Sequence, residues 1–196
     1  MRPFAQTFQL LLRSKYSIDL LMTGLYQNIY ELQNNQSLTF LYRAPKINLE
    51  PLSISAVAMK YQDFFNINDE KSLELAILTK GYAYAYQVLG YLLYENKKCE
   101  VDRLLLSKYD QYLQEYVYDK IWIELSEKDK VVLLAFADNE KAKVETLIEK
   151  MKMDKKTFSV YRDRLIKRGL LLAPSYGVLI LKLPRYFEYL KIVRLQ

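Results

Sequence analysis

The side chains that most often carry chemistry are scarce in this sequence. It has no histidine and one cysteine, Cys99. That removes the commonest general base, a Cys–His nucleophile pair, an intrachain disulfide and a thiolate zinc site. The five glycines, Gly24, Gly81, Gly90, Gly169 and Gly177, are never spaced as a phosphate-cradling G-x-x-x-x-G-K-[ST] loop. No G-x-S-x-G elbow, Ser–His–Asp set or EF-hand cation loop can be drawn either. Acid pairs such as Asp69-Glu70 and Glu100/Asp102 stand at helix starts, where they complement the helix dipole. The sequence therefore predicts a chain that is no enzyme by itself and holds no cofactor or metal of its own.

What remains is charge. The net +6 is uneven: residues 1–125 hold 13 Lys/Arg against 14 Asp/Glu, and residues 126–196 hold 16 against 9. A basic excess confined to one end is a footprint of nucleic-acid binding, because phosphate contacts release counterions and supply sequence-independent affinity; a solvated Lys-rich surface would count the same way. The sharpest candidates lie on a helix predicted after Asp154 and ending at Gly169. At about 100° per residue, Phe158, Tyr161 and Leu165 share a core-facing stripe. Lys156, Ser159, Val160, Asp163, Arg164 and Lys167 lie opposite. Lys156, Ser159 and Lys167 suit contact with base edges and phosphates, with Arg164 as a flanking phosphate contact. Asp163 opposes phosphate unless it accepts from a cytosine amine, and Val160 suits a thymine methyl or a protein partner equally. A following hairpin adds Ser175 and Tyr176 at its tip and Lys182 on its return strand. The expected partner is duplex DNA, with a protein partner as the alternative.

The elements that must position these groups are mainly helices. With 51% hydrophobic and 27% charged residues and only five each of Gly and Pro, the chain reads as folded and mostly α. Residues 1–52 begin with a helix over Pro3–Lys15, followed by a buried strand over Ile18–Thr23, a helix to Leu32 and a second strand over Lys46–Leu52. Residues 53–125 form a helical bundle: one helix capped by Ser53 or Ser55, one capped by Asp69, one over Tyr82–Glu95, and one from about Val101 to Ile123 with Leu105, Tyr109, Tyr112, Tyr116 and Ile123 on its stripe. Residues 126–196 open on a capping box of Ser126 and Asp129. A first helix there buries Val131, Val132, Leu134 and Ala135 or Phe136. Two more helices follow, then a hairpin of Leu170–Ala173 and Val178–Leu183 around Pro174–Gly177, and a closing helix over Pro184–Val193. Three short helices and a hairpin are the order of a winged helix-turn-helix. No apolar run reaches the roughly 18 residues of a membrane span, so no membrane partner and a cytoplasmic, reducing location are expected.

Several runs also resemble a known family. Leu21–Ile29, Leu38–Ile47, Leu49–Leu52 and Leu78–Tyr82 look like the second half of an AAA/STAND-type P-loop ATPase module. Tyr161-Arg162 with Leu165 and Gly169, and Leu183–Phe187, are similar to the C-terminal winged helix of the prokaryotic ATP-binding proteins in that family. The resemblance implies a remnant of α/β ATPase core over 1–52, a helical lid over 53–125 and a winged helix over 126–196. It makes Thr23 the γ-phosphate-sensing position and Arg43 an arginine finger. Tyr82, Ala83 and Tyr84 stand where many AAA lids carry a second-sensor arginine, which leans toward the STAND side. The family binds ATP and magnesium through a phosphate loop and an acidic strand that would precede the equivalent of Met1, so this portion is expected not to hydrolyse ATP. Its two strands, lacking sheet neighbours, are expected to pair with each other or to drive self-association through residues 1–52. The function implied is a DNA-binding or regulatory module; the alternatives are a protein-interaction module gating a complete ATPase and a free-standing dimeric winged-helix transcription regulator.

Overall fold

Residues 2–24, 26–34, 38–45, 47 and 49–195 are described by the computed structural model of the chain. They are mostly helical with one three-stranded antiparallel sheet, and they divide into two compact units, Met1–Leu49 and Glu50–Gln196. No helix of the described residues is long and apolar enough to cross a membrane.

The first unit contains α1 (Arg2–Arg13), α2 (Tyr26–Gln33) and α3 (Thr39–Tyr42). Its core is small: Ala5, Leu38 and Leu41 are buried, with Phe8 and Phe40 packed ring to ring at 6.3 Å. Among the described residues neither strand predicted for this region forms. Residues 18–23 are coil, as are residues 47 and 49–52; Lys46 and Asn48 lie outside the described residues. A strand is held by ladder hydrogen bonds to a neighbour, and among the described residues these segments have none. Of the apolar side chains meant for a buried sheet, Leu21, Ile47 and Leu49 instead face water, while Ile18, Leu20 and Met22 are half-buried.

The second unit begins with α4 (Ile54–Phe65), α5 (Asp69–Thr79), α6 (Ala83–Glu95) and α7 (Arg103–Leu113). Ser53 caps α4, its Oγ accepting from the Ala56 amide. The cap of α5 is Asn68, which accepts from Lys71, and not Asp69, which occupies the first helical turn. Gly81 follows α5 with φ +71°, and its carbonyl oxygen accepts from the Leu52 amide at 2.7 Å. A Cβ there would come within 2.2 Å of the Leu52 carbonyl oxygen, so a close approach and a left-handed backbone together require glycine.

The long helix predicted to Ile123 is interrupted. After α7, Gln114–Tyr118 form a π-helical turn before α8 (Asp119–Ile123). The wider i→i+5 turn shifts the side-chain register, and the predicted stripe fails from that turn onward: Tyr116 and Ile123 are exposed, whereas Tyr118 is buried. Tyr118 thereby enters an aromatic cluster with Tyr186, Tyr189 and Trp122.

The remaining elements are α9 (Glu127–Leu134), β1 (Lys141–Lys143), α10 (Val144–Met151), α11 (Lys155–Lys167), β2 (Leu171–Ser175), β3 (Val178–Leu181) and α12 (Tyr186–Arg194). The Ser126–Asp129 capping box opens α9, with both reciprocal hydrogen bonds present. Its buried apolar residues are Val132 and Leu133, followed by Ala135, Phe136 and Ala137, while Val131 is exposed. The strands lie in the order β1-β3-β2. Pro174 and Ser175 belong to β2 and not to the turn, which is Tyr176-Gly177. Because β2 is an edge strand, a residue without an amide hydrogen is tolerated there. One buried cluster runs from Val57 to Leu190, so the bundle and the C-terminal elements share a core.

Candidate nucleic-acid interface

The helix α11 that carries most of the candidate contacts is set by local signals. Asp154 caps it, accepting from the Thr157 amide at 2.9 Å, and hydrogen bonds from Thr157 hold the Asp154 carboxyl below the usual carboxylate range. Arg168 is its C-cap and Gly169 follows with φ +73°, the left-handed residue that ends the helix. Phe158 and Leu165 are buried and Tyr161 is half-buried against the core. The opposite face is thereby turned to solvent.

On that face the predicted residues do not behave alike. Lys156 and Lys167 are exposed and enter no ion pair among the described residues. Ser159 is half-buried and accepts from Arg162 Nη2 at 3.3 Å. Arg162 also donates to Asp163 Oδ1 from Nε at 2.9 Å and from Nη2 at 2.7 Å. The carboxylate at the middle of the face is thus neutralised by its own neighbour. Val160 beside it is 62% exposed.

Arg164, expected on the solvent face, turns back into the fold. Its Nε donates to Asp129 Oδ1 at 3.0 Å, its Nη2 lies 2.7 Å from Asp129 Oδ2, and the same Nη2 donates to Ser126 Oγ at 2.8 Å. The guanidinium also lies over the Tyr161 ring, 4.7 Å from its centroid. Asp129 is 1% exposed, so its charge needs a partner inside the fold. Arg164 supplies it, joining α11 to the capping box of α9 and leaving no fork for a phosphate.

The hairpin separates the three residues assigned to it, with Ser175 at the end of β2 beside the turn and not in it. Tyr176 stands fully exposed at the tip. Lys182 lies beyond the far end of β3, half-buried, its amide donating to Leu170 O at 3.0 Å. Five or six residues of extended chain place it roughly 16–20 Å from the tip.

Thr23 and Arg43, the nucleotide-sensing positions implied by the resemblance, belong to the first unit. Thr23 is an exposed coil residue with no strand leading to it, and Arg43 is the exposed C-cap of α3, its amide donating to Phe40 O at 3.3 Å. Neither position has the sheet edge a phosphate sensor would stand on. Among the described residues no group of three or more His, Cys, Asp or Glu could hold a metal ion.

Sequence reasoning missed β1. Lys141 and Lys143 are exposed and flank Ala142, which packs toward the core. The available signal was the two-residue alternation Lys-Ala-Lys, too short to define a strand without its partner β3.

Comparison with known proteins adds a boundary. Residues 115–190 match a family described as "Domain of unknown function (DUF8462)". The matched span starts in the π-helical turn and ends in α12, so it joins the end of the bundle to the C-terminal elements. No curated protein and no solved structure matches the chain.

Proposed function

We propose that residues 126–196 are a winged helix that binds duplex nucleic acid, carried on a lid-like helical bundle over residues 53–125. The observation that carries this is the order α9-β1-α10-α11-β2-β3 with the sheet arranged β1-β3-β2. In that order α10 and α11 are a helix–turn–helix pair, and the β2–β3 hairpin is the wing that follows the second helix. Lys156 and Lys167 then provide phosphate contacts from the exposed face of α11, Ser159 a polar contact, and Tyr176 a contact from the wing tip. Lys182 is a peripheral cation at the base of the wing. Arg164 is the pin that sets the pitch of α11 on α9.

The C-terminal part of the ATPase resemblance agrees with this assignment. Its N-terminal part, which needs strands over 18–23 and 46–52, finds coil among the described residues. We therefore propose a DNA-binding role that does not depend on nucleotide sensing by Thr23 or Arg43. The exposed Val160 beside the self-neutralised Arg162–Asp163 pair favours one second reading, a protein-docking face on the same helix.

The test is fluorescence anisotropy of a labelled duplex with the full chain at rising salt. Binding at low salt that weakens steeply as salt rises is expected, as is its loss in Lys156→Glu/Lys167→Glu with helix content by circular dichroism unchanged. No binding at low salt would favour docking of a protein.

A further inference from the structure

The equipment of α11 for reading bases is thin. Bidentate base contacts come from Arg, Lys, Asn and Gln. The helix sequence KKTFSVYRDRLIK contains no Asn or Gln, both of its arginines are engaged, Arg162 with Asp163 and Arg164 with Asp129, and of the four types only the lysines at its two ends, Lys155, Lys156 and Lys167, stay exposed. The centre of its outward face is Val160 and a neutralised ion pair. Affinity for a duplex must therefore come chiefly from groups that meet phosphate rather than base edges, on α11 and elsewhere on the module.

The strand β1 offers such groups. Ala142 is paired with Leu179 and, like Leu179, is turned to the core. Alternation along a strand then puts Lys141 and Lys143 on the opposite, solvent side of the sheet, about 7 Å apart along the chain. Lys143 is paired with Val178, the first residue after the wing turn, and the amide of Val144 donates to Gly177 O at 2.9 Å. One lysine is thus held at the root of the wing tip beside the fully exposed Tyr176. Among the described residues neither Lys141 nor Lys143 enters an ion pair. Glu140, the acid adjoining β1 in sequence, is held by Lys80.

We infer that Lys141, Lys143 and Tyr176 form a backbone-gripping edge through which this module holds duplex phosphates without reading sequence. The inference rests on the winged-helix reading above and adds where the affinity resides and why it is indifferent to sequence. Lys156 and Lys167 act with this edge, and α11 supplies position more than readout.

The experiment measures affinity of the full chain for two duplexes of unrelated sequence as a function of salt. The two affinities should agree within about tenfold, against the ~10³-fold or more that separates specific from non-specific sites. Lys141→Gln/Lys143→Gln should reduce the slope of log K against log salt by about 2, close to 0.9 for each phosphate that is no longer neutralised. Lys141→Arg/Lys143→Arg should keep the original slope. Because both positions are exposed, melting temperature should be the same in all three proteins, which separates a weakened grip on phosphate from a damaged fold. An unchanged slope in the glutamine variant, or discrimination of ~10³-fold between the duplexes, overturns the inference while leaving DNA binding standing. Failure of the unsubstituted chain to bind either duplex overturns the DNA-binding reading itself.

Discussion

Arg185 grips Asp110 with a two-pronged bond, Nε to Oδ1 at 2.8 Å and Nη2 to Oδ2 at 2.6 Å, tying the entry of α12 to the middle of α7. The arginine has φ 57°, in the left-handed region, where a residue with a Cβ costs roughly 1–2 kcal/mol. A bidentate, charge-assisted pair offsets that cost. Asp110→Asn is expected to lower stability by about 1.5–3 kcal/mol, the range for hydrogen bonds to charged groups. In that background Arg185→Gly should restore about 1 kcal/mol by removing the strained Cβ. Urea unfolding with an unchanged m-value would measure both; a further loss on adding the glycine would show that the left-handed residue carries no strain.

Arg164 should behave as part of the fold. Removing it leaves the buried Asp129 with only Ser126 as a polar partner, and breaking a buried pair from one side is strongly unfavourable. Because Arg164 is itself 37% exposed at its side chain, about 2–3 kcal/mol is expected for Arg164→Ala, below the full range for buried pairs. Any duplex affinity, measured well below the variant's melting temperature, should keep the salt slope of the parent. A slope reduced by about 1 would instead assign Arg164 a phosphate.

Residues 126–196 should not fold cooperatively when expressed alone. Three bundle residues hold the segment between β3 and α12. Lys80 donates to Leu181 O at 3.0 Å and to Leu183 O at 3.4 Å and pairs with Glu140; Tyr118 donates to Pro184 O; Asp110 holds Arg185. The fragment also loses the Tyr118 side of the cluster that contains Tyr186 and Tyr189. Thermal melts by circular dichroism should be broad for the fragment and sharp for residues 50–196. A sharp transition in the fragment would refute the shared core.

Acid should weaken the protein partly through Asp138. Hydrogen bonds from Lys150 and Arg194 hold its carboxyl at about 2, below the roughly 3.9 of an unfolded aspartate. The unfolded state therefore binds the proton more readily, so the contribution is complete above about pH 4 and disappears as pH falls toward 2. In Asp138→Asn the fall of melting temperature between about pH 4 and pH 2 should be shallower than in the parent. Some slope should persist, because Glu100, Asp102 and Asp154 are also shifted downward by their partners. Identical slopes in the two proteins would remove Asp138 from the acid response.

The features legible in the sequence are those decided within one turn of chain. Ser126 and Asp129 close a capping box three residues apart, Asp154 caps α11, Gly169 ends it, and Phe158 and Leu165 face inward because their spacing allows nothing else. Signals of that kind also placed the helices of the bundle. They failed where a neighbour in space was needed. Ile18–Thr23 has the composition of a strand and no partner among the described residues, whereas Lys141–Lys143 has a strand's partner and almost no composition to announce it. The π-helical turn at Gln114–Tyr118 moved Tyr118 inward and Tyr116 outward, a half-turn decision that periodicity at 3.6 residues cannot encode.

The candidate site divides along the same line. Its helix, its solvent face and its positive charge were set by the sequence itself, since helix spacing and residue type determine them. Which cations remain available was decided only by tertiary structure. Arg164 finds Asp129 in α9, and Lys141 and Lys143 acquire an exposed sheet face by pairing with β3. A long charged side chain can reach many partners, and only the folded backbone determines which of them stands within hydrogen-bond distance.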